Sequence, residues 1–202
     1  TQFWLRRLKA AGMAVVSVAP LRGDTADFLD AQWLAPRPNT DVAMMLGIAH
    51  TLVAEDRHDR AFLARYCIGF ERFEAYLMGT DDGQPKDAGW AAGITGIDAE
   101  ILRTLARRMA AGRTMISVSW SVQRADHGEQ PYWMAATLAA MLGQIGLPGG
   151  GFRTAPVIRH AQTGGFGTAI GRHREADRDR HPRCLDRQRT HVPAILDRKF
   201  QS

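Results

Sequence analysis

The stretch that decides the fold is Trp33-Leu-Ala-Pro-Arg-Pro-Asn-Thr-Asp-Val-Ala-Met-Met-Leu-Gly-Ile-Ala-His50. A short apolar strand is predicted to end at Pro36, and the capping residues Asn39-Thr-Asp41 then lead directly into an apolar helix. Loops that join a strand to a helix at the edge of a parallel sheet are where α/β proteins hold nucleotides. The Asp41 carboxylate can accept two hydrogen bonds from the N1 and N2 edge of a guanine. The alternative is that Asn39 or Thr40 only caps the helix and Asp41 only stabilises its positive end.

The rest of the chain alternates between strand and helix patterns. Apolar, β-branched runs predict buried strands over residues 13–19 and 114–119. Apolar periodicity predicts helices over residues 41–55, 59–66, 70–78, 99–111 and 129–145. In the helix over 99–111, which Asp98 is expected to cap, the residues predicted to face the core are Ile101, Leu102, Leu105 and Met109. This order predicts a Rossmann-like α/β fold, a parallel sheet with crossover helices.

Length and composition exclude several classes of protein. The chain has 202 residues, 45% of them hydrophobic, which is enough for one sizeable core. It contains no run of eighteen apolar residues, so no membrane segment is predicted. Cys67 and Cys184 lack further ligands at metal-binding spacing, which argues against a disulfide framework, a zinc site or an iron–sulfur cluster. Because the chain opens with Thr1 inside an amphipathic segment, we expect an internal fragment.

The positive charge is confined to the last fifty residues. Residues 153–202 hold ten Arg and one Lys against five acidic residues, a net charge of +6, whereas residues 1–152 carry −1. This segment lacks Trp, Tyr and Met, and its apolar residues have no period, so we expect a disordered tail. The sequence therefore predicts an α/β domain over residues 1–152 and a basic tail over residues 153–202.

Four segments occur in an order that is typical of one enzyme family. They are Arg37-Pro-Asn-Thr-Asp-Val-Ala-Met-Met-Leu-Gly-Ile-Ala-His-Thr51, Gly69-Phe-Glu-Arg-Phe73, Ser119-Trp-Ser-Val-Gln-Arg124 with His127-Gly-Glu-Gln130, and Leu142-Gly-Gln-Ile-Gly-Leu-Pro-Gly-Gly-Gly-Phe152. Together they resemble the dimethyl sulfoxide, trimethylamine N-oxide and biotin sulfoxide reductases, which use molybdenum bis(molybdopterin guanine dinucleotide). The resemblance covers about residues 10–152. It implies a domain that holds one guanine dinucleotide arm in an enzyme of oxygen-atom transfer.

The resemblance also implies roles for nine residues. Asn39, Thr40 and Asp41 match the guanine-recognition turn, and the loop with Pro20 and Arg22 matches the segment that passes the ribose and phosphate. Trp120 and Arg124 match positions near the molybdenum funnel and the pterin or its pyrophosphate, where a guanidinium is a forked donor to phosphate. Ser121 and Gln123 contact the cofactor in one interpretation and only line or cap the strand end in the other. For four neighbouring residues a structural role is the stronger interpretation: His50, His127, Trp133 and Met134.

The resemblance has clear limits along the chain. The serine that ligates molybdenum in this family has no counterpart here, so we predict no catalytic or metal-binding residue and no activity for the chain alone. The expected substrate is a small S-oxide or N-oxide, and no electron donor is predicted. The turn over residues 37–40 is most similar to the biotin sulfoxide reductase branch, which favours a cytoplasmic over a periplasmic location.

Two alternatives and one hypothesis remain open from the sequence. A non-catalytic α/β module for another nucleotide would show guanine nucleotide affinity without pterin preference. A nucleic-acid-binding protein that uses the basic tail ranks last, because Phe166 and Phe200 offer little stacking surface. The change of composition after Phe152 suggests a reading-frame shift in the gene, a hypothesis that fails if no other frame of the locus encodes a glycine- and aromatic-rich continuation.

Overall fold

Parallel strand pairs and helices alternate along this computed structural model, which describes residues 2–154 and 190–191. The α-helices are α1 (Gln2–Ala10), α2 (Asp41–Ala54), α3 (Arg60–Tyr66), α4 (Phe70–Leu77), α5 (Ala88–Thr95), α6 (Ala99–Ala111) and α7 (Gln130–Met141). The strands are β1 (Val16–Val18), β2 (Gln32–Leu34), β3 (Cys67–Ile68), β4 (Met115–Val118), β5 (Gly151–Thr154) and β6 (Thr190–His191). Short 3₁₀ turns cover Arg22–Asp24, Asp27–Leu29 and Trp120–Arg124.

Every strand pair in the described residues is parallel. β1 pairs with β2, β4 with β5, and β3 with β6. In the first pair Val16 lies opposite Gln32, and in the second Met115 lies opposite Gly151. Parallel neighbours require crossover connections, which here contain helices or 3₁₀ turns. The predicted α/β class with parallel pairing is confirmed, although the described strands form separate two-stranded ladders rather than one sheet.

Helix α2 is the centre of the core. It packs against α5, α6 and α7, and its residues Leu46, Ala49 and Leu52 are fully buried. An apolar helix of this kind, hydrophobic around its circumference, is stable only when neighbours cover all of its faces. The approach of α5 is close enough that a Cβ added to Gly47 would lie 2.6 Å from the Cβ of Ala91.

Two predictions about burial are wrong. The strands expected to be buried are only half covered: residues of β1 are partly buried, and Met115 and Ser117 of β4 are exposed. The strand residues that pack against the core alternate along each strand: Val16 and Val18 in β1, and Ile116 and Val118 in β4. In α6, Leu102, Leu105 and Met109 are buried as predicted, but Ile101 is 38% exposed at the edge of the apolar stripe.

The prediction lacks five of the described helices and strands, namely α1, α5, β3, β5 and β6. α1 has no buried residue, α5 is a short Ala- and Gly-rich helix, and β5 follows the glycine-rich turn after α7. The side chain of Asp87 caps α5 by accepting a hydrogen bond from the N–H of Trp90 at 2.7 Å. Periodicity alone does not identify such a helix, since small residues give no apolar stripe.

The predicted tail lies mostly outside the described residues. β5 runs across the predicted boundary at residue 152 as far as Thr154, and β6 pairs with β3. The expected disorder concerns residues 155–189 and 192–202, which the structure does not describe. Within the described ranges, no helix has the length and apolar character needed to cross a membrane.

Candidate functional site

A cavity of about 570 Å³ separates β1 from β4. Its floor consists of apolar side chains from α2, α6 and α7, and its walls are the two strands. Gly12 and Gly112 lie at the end where the strands begin, whereas Asp41 and Ser119 lie at the end where they finish. The carboxyl ends of parallel strands are the edge at which α/β proteins place ligands, so this end is the candidate site.

The turn before α2 leaves the start of that helix without a side-chain cap. Asn39 adopts a left-handed backbone conformation with φ of 63°, which asparagine tolerates better than most residues. Thr40 is the N-cap residue, but its hydroxyl donates a hydrogen bond to the carbonyl oxygen of Arg37 at 2.7 Å instead of accepting one from the helix. The interpretation that Asn39 or Thr40 serves as a side-chain cap is therefore wrong, and first-turn N–H groups of α2 remain free donors.

Arg37 anchors this turn to α5. Its Nη1 donates to the carbonyl oxygens of Gly93 at 2.8 Å and Ile94 at 3.0 Å, and its backbone N–H donates to Thr95 at 2.9 Å. These carbonyls belong to the last turn of α5, where a cation also interacts favourably with the helix dipole. Sequence reasoning missed this role, because the partners lie 56 to 58 residues away along the chain.

The loop after β4 is held by local hydrogen bonds. The Ser119 hydroxyl oxygen accepts from the N–H of Ser121 at 3.3 Å and lies 2.9 Å from the Ser121 hydroxyl. The Tyr132 hydroxyl donates to the Ser119 carbonyl at 3.0 Å and ties the loop to α7. At the far end, a Cβ added to Gly128 would lie 2.2 Å from the carbonyl oxygen of Gln123, so only glycine permits this packing. Ser119, which the sequence did not single out, is thus the capping residue of this loop.

The loop after β1 is exposed at both predicted positions. Pro20 and Arg22 are exposed, and Arg22 begins the 3₁₀ turn Arg22–Asp24. The indole Nε1 of Trp33 donates to the Ala19 carbonyl at 2.9 Å and fixes the start of the loop to β2. This loop therefore begins at the same sheet edge as Asp41.

Several predicted site residues have no side-chain partner among the described residues. This is the case for the carboxylate of Asp41, the guanidinium groups of Arg22 and Arg124, and the amides of Asn39 and Gln123. Many other arginines in the described part of the chain have partners; Arg107, for example, pairs with Glu55 at 2.8 Å. A carboxylate and guanidinium groups without partners in the described residues are available to an external ligand.

The predicted site residues differ in whether they line the cavity themselves or only lie next to residues that line it. Asp41 lines the cavity itself. The segment with Trp120, Ser121, Gln123 and Arg124 reaches the cavity through its neighbours Ser119 and Val122. The loop with Pro20 and Arg22 reaches it through Val18. Their roles in cofactor binding stay predictions.

The four residues expected to be structural differ from one another. Met134 is fully buried and belongs to the core, whereas Trp133 is 38% exposed. His50 is half-buried, and burial lowers its pKa while the charge of Asp87 acts in the opposite direction. His127 is exposed, with φ of 54°, and its ring nitrogens lie 3.8 Å from the Asp126 carboxylate and 3.9 Å from the Glu129 carboxylate.

The donor groups at this site suit a nucleotide better than a metal ion. No cluster of three or more metal-ligating side chains occurs within residues 2–154. The site instead offers a carboxylate, two arginines, polar side chains and free backbone N–H groups. These are hydrogen-bonding groups for a base and a phosphate.

Comparison with known sequences decides the family. A sequence model of the molybdopterin oxidoreductases matches residues 3–183, which is most of the chain and continues beyond Phe152. The chain belongs to the molybdopterin oxidoreductase family. The cofactor of a molybdopterin oxidoreductase is molybdenum held by molybdopterin, and the family resemblance seen in the sequence is thereby confirmed.

Relatives of this molybdopterin oxidoreductase chain act on oxides of sulfur and nitrogen, as their names state. The dimethyl sulfoxide/trimethylamine N-oxide reductase of Cereibacter sphaeroides is 52% identical over 167 residues, 83% of this chain and 20% of the relative. Trimethylamine-N-oxide reductase 1 of Escherichia coli K12 is 54% identical over 149 residues, covering 72% and 18% respectively. The biotin sulfoxide reductase of C. sphaeroides is 53% identical over 148 residues, covering 73% and 20%. The chain thus spans about a fifth of the length of these relatives.

A solved structure supports the fold. Acetylene hydratase from Pelobacter acetylenicus superposes on 70% of this chain with a TM-score of 0.60 and 24% sequence identity, and the match covers 19% of that enzyme. At this identity the likeness concerns the fold alone. It confirms the α/β architecture described above.

Proposed function

We propose that this chain contributes the guanine-binding part of the molybdopterin guanine dinucleotide site in an S-oxide or N-oxide reductase. The observation that carries the proposal is the Asp41 carboxylate, which lines the end of the cavity and has no partner among the described residues. A carboxylate that accepts from both N1–H and the 2-amino group selects guanine over adenine, because adenine presents no such pair of donors. The names of the relatives support the substrate class.

The neighbouring groups are suited to the rest of the nucleotide. Free N–H groups at the start of α2 and the positive end of its dipole favour an anion nearby. Arg22 and Arg124, exposed and unpaired in the described structure, are donors for the ribose-linked phosphates. The exposed ring of Trp120 offers a flat apolar surface at the same end.

In the complete reductase, the division of labour follows from these residues. The molybdenum cofactor, when bound, supplies the two-electron chemistry that converts an S-oxide or N-oxide, with two protons, into the sulfide or amine and water. The residues of this chain hold the guanine arm and orient the cofactor. They include no metal ligand cluster within residues 2–154, so we expect no turnover by the chain alone.

Nucleotide titrations test the role of Asp41. We expect the chain to bind guanosine diphosphate more tightly than inosine diphosphate, which lacks the 2-amino group. Adenosine diphosphate should bind more weakly than either of these two nucleotides. Asp41→Asn should reduce the preference for guanine by about 10- to 100-fold, the value of one or two hydrogen bonds to a charged group. Isothermal titration calorimetry with the three nucleotides provides the measurement.

A matched control is available at another helix start. Asp98 caps α6 by accepting from the N–H of Glu100 at 2.8 Å, and it is not one of the residues that line the cavity. Asp98→Asn removes the same charge and retains a good capping residue, so the guanine preference should not change. Equal binding of guanine and adenine nucleotides by the unchanged chain would contradict the proposal, as would an unaltered preference in Asp41→Asn. Tight guanine binding without any preference for the pterin-linked dinucleotide would favour the simple nucleotide-binding module.

A further inference from the structure

A side chain of α7 holds the point where β4 ends and the loop after it begins. The Tyr132 hydroxyl donates to the carbonyl oxygen of Ser119 at 3.0 Å, from thirteen residues further along the chain. The same oxygen accepts from the backbone N–H of Val122 at 3.4 Å, within the 3₁₀ turn. Because a bond of 3.4 Å is long for an N–H donor, the bond from Tyr132 is the better-formed contact of this carbonyl.

The loop itself has little buried surface that could fix its position. Five of the six residues from 119 to 124 are exposed, and Val122 is half-buried. A segment that buries few apolar groups gains little stability from packing, so its hydrogen bonds decide how firmly it is held. The side-chain bonds between Ser119 and Ser121 lie within the loop. They shape the loop, but they do not attach it to the helices.

Helix α7 is a rigid support for the bond to Ser119. Its side chains Met134, Leu138 and Met141 are fully buried in the core. Tyr132 lies in the first turn of the helix, directly after Pro131, a residue whose fixed backbone angle suits the first helical positions. A side chain that begins on so firmly packed a helix has a fixed origin. Its hydroxyl can therefore define where the Ser119 carbonyl lies.

The turn that follows α7 holds the opposite end of β4. The Gln144 Oε1 accepts from the N–H of Thr114 at 2.6 Å, and its Nε2 donates to the carbonyl oxygen of Gly112 at 2.9 Å. β4 is thus attached near both of its ends to α7 or to the turn after it. Of the two attachments, that of Tyr132 lies at the carboxyl end with the candidate site, whereas that of Gln144 lies at the amino end.

We propose that Tyr132 is a positioning residue for the contact between Arg124 and the phosphates of the ligand. By fixing the Ser119 carbonyl, the Tyr132 hydroxyl sets the start of the 3₁₀ turn Trp120–Arg124. Arg124, at the end of that turn, has no partner among the described residues. A guanidinium binds phosphate oxygens as a planar fork, so its direction matters as well as its charge.

The inference rests on the proposed function, because it assigns a support to the phosphate-binding part of the same site. It divides the site into two parts that can be tested separately. Asp41, at the start of α2, recognises the base, whereas Tyr132 acts on the phosphates through the loop after β4. A change at Tyr132 should therefore affect the phosphate contribution to binding and leave the base preference unchanged.

Titrations with guanosine and guanosine diphosphate test the proposal. The ratio of the two affinities, the phosphate ratio, measures what the phosphates contribute to binding. Tyr132→Phe removes the hydroxyl and keeps the ring, and it should lower the phosphate ratio by about three- to tenfold, the value of one hydrogen bond. Gln144→Ala is the matched control, since it removes two bonds at the other end of β4. It should lower the free energy of unfolding in urea at least as much, with an unchanged phosphate ratio.

A double-mutant cycle shows whether Tyr132 acts through Arg124. Once Arg124→Gln has lowered the phosphate ratio, adding Tyr132→Phe should change it by less than about twofold. Independent effects of the two changes would overturn the proposal, as would an unaltered ratio in Tyr132→Phe or an equal loss in Gln144→Ala. An unaltered ratio in Arg124→Gln would overturn it even if the Tyr132 variant failed to fold. A chain that shows no preference for guanine over adenine contradicts the proposed function instead, because that preference does not depend on Tyr132.

Discussion

At the scale of single residues, Arg37 shows how a remote contact can place a binding group. Its guanidinium bonds two carbonyls at the end of α5, and its own carbonyl accepts from Thr40, the residue before Asp41. The orientation of the Asp41 turn thus depends on a side chain four residues earlier and on a helix more than fifty residues later. Resemblance to a family locates Asp41, but only the folded chain shows what holds it.

We expect Arg37→Ala to lower the free energy of unfolding by about 1 to 2 kcal/mol, because the exposed Arg37 side chain loses two charge-assisted hydrogen bonds to the end of α5. Guanine nucleotide binding should weaken with it. Arg60→Ala is the matched control: Arg60 pairs with Asp56 at 2.9 Å on the open surface, and its side chain is 71% exposed. That control should change stability by less than about 0.5 kcal/mol. Urea unfolding that gives equal losses for the two variants would contradict the anchoring role.

A second prediction for a single residue concerns the effect of acidic pH on the stability that Glu55 contributes. Glu55 accepts hydrogen bonds from Arg107 at 2.8 Å and from Arg57 at 3.0 Å, and the bond from Arg107 is the main cause that lowers the Glu55 pKa below its ordinary 4.5. A carboxyl group with a lowered pKa in the folded state stabilises that state above its ordinary pKa. The contribution is lost as the pH falls through the lowered value.

A double-mutant cycle measures this contribution. With Glu55→Gln and Arg107→Met, singly and combined, the coupling free energy from urea unfolding should be favourable at pH 7 and should disappear in acid below the folded-state pKa. A coupling of the same size at neutral and acidic pH would show that the Glu55 charge is not its source.

At the scale of elements, the packing of α2 against α5 depends on one glycine. A Cβ at Gly47 would come within 2.6 Å of Ala91 and 3.4 Å of the Asp87 carbonyl oxygen, so the two helices could not keep their present distance. α5 carries the carbonyls that Arg37 bonds, and a shift of α5 would therefore move the Asp41 turn.

Gly47→Ala should destabilise the chain by about 1 to 3 kcal/mol, the usual cost of overpacking a core, despite the better helix propensity of alanine. Gly93→Ala provides the control, because Gly93 also lies in a helix and a Cβ there meets nothing within 4 Å. It should be neutral or stabilising by up to about 1 kcal/mol. Thermal unfolding of the two variants is the measurement, and similar melting temperatures would refute the close-packing argument.

The elements also show where sequence patterns succeed. The helix over 99–111 was predicted with its observed bounds, because an N-cap aspartate and a clear apolar stripe are both local signals. α5 was missed because its Ala- and Gly-rich segment has neither a strong stripe nor large side chains. β1 and β4 were located correctly but were longer in the prediction, since apolar runs continue beyond the residues that form ladder hydrogen bonds, whereas β3, β5 and β6 were not predicted.

At the scale of the whole molecule, the uncovered surface should control solubility. Among the residues that the structure describes, Trp4 and Leu8 are exposed on α1, and β1 and β4 are each paired on one edge only. Exposed apolar side chains and unpaired strand edges favour association. We expect the chain to self-associate as its concentration rises.

Replacing Trp4 and Leu8 together with glutamate should reduce this association without lowering the free energy of unfolding, because α1 has no buried residue. Leu102→Ala is the contrasting change: Leu102 is fully buried, and its loss should cost about 2 to 5 kcal/mol. Sedimentation velocity over a range of concentrations, with urea unfolding alongside, checks both. Association that persists unchanged in the double variant would show that the chain self-associates through a different surface.

The sequence by itself determined the α/β class, the parallel pairing, the family and the turn that presents Asp41. These rest on local signals, namely apolar runs, periodicity, capping residues and motifs, which need no knowledge of distant contacts. Only the tertiary structure decided that Arg37 anchors the turn, that Ser119 rather than Ser121 caps the loop after β4, and that β1 and β4 stand apart across a cavity. Each of these depends on which surfaces meet after folding. A cavity between two strands cannot be predicted from local sequence signals, because it depends on how distant elements pack.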